Sequence, residues 1–116
     1  MAQYGRLDKQ VRDQCLAFPE STEVETWGHP SFRAGKKTFA ALEIVDGRPS
    51  LAVRVEPFEA DLLLADDRFF LTPYGRGKWV SVWLDRAVSA KLVLELLERA
   101  YRIVATKRML AALQSE

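Results

Sequence analysis

Apolar residues recur along this chain with two different periods, and the changes from one to the other divide it into elements. Within Arg6 to Phe18, Leu7, Val11, Cys15 and Phe18 keep the spacing that lines one face of an α-helix, and Pro19 follows as a stop. Thr22 to Trp27 alternates and carries β-branched residues, which predicts a short strand that Gly28 and Pro30 break before Ser31-Phe32-Arg33 resumes. Ala34-Gly35-Lys36-Lys37 then predicts a tight turn into a strand over Thr38 to Val45. Asp46-Gly47 is a strong hairpin signal, because the pair tolerates the positive φ of a type I′ turn, and Leu51 to Val55 is the returning strand.

Pro57 suits the first turn of a helix, where its missing N–H is not needed, and Phe58, Leu62 and Leu63 supply that helix with an apolar side up to about Ala65. Arg68 to Thr72 reads as a strand and Pro73 to Gly77 as a loop. Lys78 to Leu84 returns with Val80, Val82 and Leu84 on one face and Trp79, Ser81 and Trp83 on the other. Ser89 is the expected N-cap of a long helix with a broad stripe at Leu92, Val93, Leu96, Leu97, Ala100, Tyr101 and Val104, running toward Leu113 with a break near Thr106. Short hairpin connections forbid parallel crossovers. The expected fold class is therefore α+β, an antiparallel sheet with helices packed on one face and the other face partly open.

A length of 116 residues, 48% of them hydrophobic, supports one core and one domain over residues 1–116. The formal charge of +1 argues against nucleic-acid binding through overall charge alone, so any such binding depends on arrangement. From Gly28 to Val55 the cations Arg33, Lys36, Lys37, Arg48 and Arg54 face only Glu43 and Asp46, a balance of +3. The following segment carries Glu56, Glu59, Asp61, Asp66 and Asp67 and no base. Cys15 is the single cysteine, which excludes an internal disulfide and any multi-cysteine metal site and fits a reducing compartment. No apolar run approaches the ~20 residues that span a bilayer, and the N-terminus lacks the parts of a signal peptide. Cytoplasmic residence without a membrane partner is the expectation.

Two segments carry the candidate chemistry. Trp27 to Phe39 and Tyr74 to Val80 each join a glycine turn bearing cations to a strand, so they read as two basic hairpin tips. In this reading Arg33, Lys36, Lys37, Arg76 and Lys78 contact phosphates, while His29 and Trp79 add hydrogen bonding or stacking. Five phosphate contacts imply a slope of log affinity on log salt of roughly −4 to −5 on duplex DNA. His29 is the sole histidine and has no local partners for a zinc site, and no nucleophile or paired carboxylate stands beside it in a recognisable motif. The chain is therefore not expected to be an enzyme or to hold a cofactor. The carboxylates from Glu59 to Asp67 do not share a helical face, which argues against a metal there. Core packing is the default for Trp27, Trp79 and Trp83, and a stacking platform is the alternative. Tyr101 is expected in the core with its hydroxyl on a backbone partner. The competing reading is a module that binds a protein or a small ligand on the open sheet face. The acidic segment Glu56 to Asp67 is a second candidate surface for a protein, and a pocket between the long helix and the sheet, with Tyr101 or Tyr74 as its polar handle, is a second candidate site for a ligand.

Four motifs together resemble the MmcQ/YjbR family of small bacterial proteins. They are Cys-Leu-Ala-Phe-Pro-Glu-Ser from Cys15, Trp-Gly-His-Pro-Ser-Phe-Arg-Ala-Gly-Lys-Lys-Thr-Phe-Ala from Trp27, Pro-Tyr-Gly-Arg-Gly-Lys-Trp-Val-Ser-Val-Trp-Leu from Pro73, and Ala-Tyr-Arg-Ile-Val from Ala100. The likeness runs from about Arg6 to Leu110. It implies a CyaY/frataxin-like α+β fold and a DNA-binding role through two wing-like hairpins. Many relatives carry a more polar Asn/Lys-containing turn before the tryptophan strand, whereas here Gly75-Arg76-Gly77 supplies flexibility and one cation.

Overall fold

The computed structural model describes residues 4–73, 75 and 77–115. Helix α1 (Asp8–Ala17) buries Val11 and Cys15 and ends where Phe18 turns extended ahead of Pro19. Strands β1 (Ser21–Thr26), β2 (His29–Ala34), β3 (Lys37–Val45) and β4 (Arg48–Arg54) follow as successive hairpins. Helix α2 (Pro57–Leu64), strands β5 (Phe69–Leu71) and β6 (Trp79–Trp83), and helices α3 (Ala90–Val104) and α4 (Lys107–Gln114) complete the chain. Every strand pair is antiparallel, in the order β1-β2-β3-β4-β6-β5. The α+β class expected from the sequence is the observed one. No helix among the described residues is long and apolar enough to cross a membrane.

Two turns set the register of the first four strands. Asp46 and Gly47 have φ of 53° and 74°, as a type I′ turn requires, and Trp27 and Gly28 match them at 55° and 83°. The second turn corrects the sequence expectation: Gly28 closes a two-residue hairpin instead of interrupting one strand. Pro30 also lies inside β2, opposite Glu25 of β1. The β2–β3 ladder ends at Ser31↔Ala41, one residue short of Pro30, so the missing N–H costs that ladder no bond.

Directly opposed residues in antiparallel strands share a face. Phe32, Ala40, Val53 and Val80 form one row across β2, β3, β4 and β6. Leu42, Leu51, Val82 and Phe69 form the next row, and both are buried. Helices α1 and α3 cover this face, with Val93, Leu96, Leu97, Ala100, Tyr101 and Val104 of α3 turned inward. Phe18 stacks on Tyr101 at 4.5 Å between centroids, Phe39 meets both rings edge-on, and the Tyr101 hydroxyl donates to the Pro19 carbonyl at 2.7 Å. Ser89 and Thr106 cap α3 and α4 by accepting from the Leu92 and Met109 backbone N–H groups.

A register shift between Phe32 and Arg33 makes Phe39 an extra residue in β3, since Phe32 opposes Ala40 while Arg33 opposes Thr38. The bulge lets Phe39 and Ala40 both join the core. It also returns Thr38 to the opposite face, beside Arg33.

Candidate functional site

The helix-free face is floored by small residues. Ser31, Ala41, Ala52 and Ser81 lie in one row across β2, β3, β4 and β6, and their short side chains leave a trough where the covered face carries Phe, Leu and Val. The loop after β5 walls one side. There Thr72 Oγ1 and Ser81 Oγ share a hydrogen bond of 2.7 Å, and the Thr72 carbonyl accepts from the Gly75 N–H at 3.0 Å. A Cβ on Gly75 would stand 2.8 Å from Trp79 Cβ and 3.0 Å from the Thr72 carbonyl oxygen, so only glycine lets the loop lie this close. Trp27 and Thr26 close the far end. The resulting cleft has a volume of about 940 Å³.

Three ionisable side chains of the cleft come from two strands. His29 and Arg33 project from β2, and Glu43 from β3. His29 Nε2 lies 3.4 Å from Glu43 Oε2, with each side chain 23% exposed. This contact is an ion pair only when the imidazole is protonated. Burial pushes the Glu43 carboxyl above its usual value, and the nearby His29 opposes part of that rise. The other imidazole nitrogen, Nδ1, is buried without a hydrogen-bond partner, and so is Arg33 Nε. Native structures leave few such atoms unsatisfied, which makes these two worth explaining.

The cationic tips lie elsewhere on the sheet, at one end. Lys36 lies in the turn from β2 to β3 and Lys37 opens β3, while Arg54 ends β4 opposite Trp79, at the start of β6. The Lys78 carbonyl accepts from the Val55 N–H at 3.0 Å. Strands β3 and β6 are separated only by β4, so their backbones run about 10 Å apart by ordinary strand spacing. Lys36, Lys37, Arg54 and Lys78 form no ion pair among the described residues. Arg76 and Tyr74, also singled out in the sequence, lie outside the described residues.

Of the other sequence candidates, His29, Arg33 and Trp79 line the cleft. Trp83 is not available as a stacking platform: Phe70 stacks on it at 4.1 Å, and the Arg48 guanidinium lies 3.8 Å from its ring centroid, held by both oxygens of Asp85. Trp27, expected in the core, is 94% exposed at the hairpin tip. Glu43, Thr38 and Arg54 are additions that the sequence did not single out. Alternation along β3 puts Glu43 on the face of Ala41, but its meeting with His29 depends on strand pairing. Among the described residues no three of His, Cys, Asp and Glu gather so as to hold a metal.

These features define a small α+β domain with a covered sheet face, an open and concave one, and a cationic end. Residues 16–103 match the YjbR family, and the chain belongs to it. It is similar to the crystal structure of Deinococcus radiodurans protein DR2400, with a DUF419 domain, at 25% identity and a TM-score of 0.75, over 97% of this chain and 91% of that one. A protein from Pseudomonas syringae shares the fold at 17% identity and a TM-score of 0.70, over 82% of this chain and 96% of the other. Comparison with curated proteins finds no match.

Proposed function

We propose that this protein binds nucleic acid, DNA foremost, as a binding protein and not a catalyst, with phosphates lying along the cationic end of the sheet. The observation that carries the reading is the gathering of Lys36, Lys37, Arg54 and Lys78 on that end without carboxylate partners among the described residues. Unpaired lysine and arginine heads in water are free to displace condensed counterions, the main source of sequence-independent affinity. Two acids close to this end are engaged: Glu20, whose carbonyl accepts from the Gly35 N–H, pairs with Arg108, and Glu59 pairs with Arg99. Exposed Glu56, just past Arg54, limits the strip on that side. Arg76, two residues before Lys78 in the sequence, lies outside the described residues and is a fifth candidate cation. His29 and Arg33 belong to the cleft and are not needed for these contacts.

Fluorescence anisotropy with a short labelled duplex across a salt series tests the reading. Four phosphate contacts give a slope of log affinity on log salt of about −3.6, and five about −4.5. Replacing Lys36, Lys37, Arg54 and Lys78 together by alanine is expected to abolish measurable binding. Affinity that survives the quadruple substitution, or that ignores salt, overturns the proposal.

A further inference from the structure

The cleft contains polar groups that neither the fold nor a phosphate-binding edge uses. Arg33 carries a permanent charge, yet its Nε is buried without a hydrogen-bond partner and no ion pair reaches it among the described residues. A partly desolvated guanidinium without a carboxylate is costly, and an acid group from outside would offset that cost through paired N–H donors. At the other end of the cleft, His29 Nδ1 is likewise unsatisfied and Glu43 offers an acceptor. Between these ends the floor is Ala41 and Ala52, flanked by Trp79 and by Ile44 and Val45. Such a bed suits a flat apolar body. The volume of about 940 Å³ falls within the usual range for small-molecule clefts.

From these placements we infer that the open face is a binding site for a small, planar, monoanionic molecule, an aromatic or heteroaromatic acid. Its carboxylate pairs with Arg33, its ring lies over Ala41 and Ala52 against Trp79, and a polar group at its far end meets His29 and Glu43. His29 and Arg33 are separated by about 13 Å of strand, which sets the ligand's length at about two fused rings. Bulky residues in place of the alanines would fill the trough, so the small floor is a requirement of the site. The inference is independent of nucleic-acid binding, since it uses none of Lys36, Lys37, Arg54 and Lys78.

The probe is 6-hydroxy-2-naphthoate, which has a carboxylate at one end and a hydroxyl at the other. Calorimetry of the full chain is expected to show saturable binding of one molecule, with weaker binding of 2-naphthoate and much weaker binding of 2-naphthol. Arg33→Gln is expected to weaken the first probe at least about tenfold, in line with the loss of a charged hydrogen-bonding partner, and Ala52→Leu to block it. The combined alanine substitution of Lys36, Lys37 and Lys78 should leave it unchanged. In the unsubstituted protein the Trp79 indole N–H resonance should move on titration while that of Trp83 stays, a readout that does not depend on any variant folding. Absence of saturable binding, equal affinity for 2-naphthol, or a Trp79 signal that does not respond would each overturn the inference. Failure of DNA binding would leave it untouched.

Discussion

Gly75 is held by contact and not by torsion, since its φ is not among the positive ones and the space above its Cα is already taken. Gly75→Ala must therefore lift the loop from Trp79 or shift the strand. We expect it to cost about 1–3 kcal/mol, as overpacking does elsewhere, read as a lower midpoint in urea. Glu43 makes a second, pH-dependent statement. Its carboxyl titrates above the ordinary value of 4.5 because burial disfavours the charge, so its contribution to stability is fully present at low pH and is lost as pH rises through the folded value. The melting temperature of Glu43→Gln should thus gain on that of the unsubstituted protein between pH 4 and neutrality. A gain on acidification would contradict the burial. Both residues were visible in the sequence, but Gly75 read as a source of flexibility and Glu43 as an acid in a basic stretch. Their roles come from atoms contributed by other strands.

Helix α2 shows where a pattern and a packing arrangement diverge. Phe58 and Leu62 share a side of the helix, as their spacing requires, yet each is 71% exposed, while Ala60 is buried and Leu63 and Leu64 pack partly against the core. The expectation that Phe58 and Leu62 form the buried side fails because in this helix most positions are apolar or acidic, and periodicity does not say which apolar stripe meets the sheet. Leu62→Ser should accordingly change unfolding free energy by no more than about 0.5 kcal/mol, in contrast to ~1 kcal/mol for Ser89→Ala, which removes the cap of α3. Chemical denaturation of the two variants side by side checks both. The long α3 stripe was legible because it has one apolar face only, and the break at Thr106 was legible because a threonine cap interrupts it.

Across the fold, one sheet serves two surfaces. Its covered face holds the large aliphatic and aromatic core, and its open face holds small and polar residues with Trp79 half-buried at the edge. Trp27, at the end of the open cleft, is the most exposed of the three tryptophans, so acrylamide quenching should be dominated by it, and Trp27→Phe should remove most of the accessible fluorescence. A quenching curve unchanged by that substitution would place Trp27 inside. The net charge of +1 conceals a molecule in which several acids are paired and a cluster of cations at one end is not. Element order, the alternation of β6 and the Asp46-Gly47 hairpin were readable from the chain, because each depends on neighbours within a few residues. The place of β6 between β4 and β5, the extra residue at Phe39 and the meeting of His29 with Glu43 were not. Those are relations between segments far apart in sequence, and the free energy that selects them is the burial of one shared core, which no local pattern records.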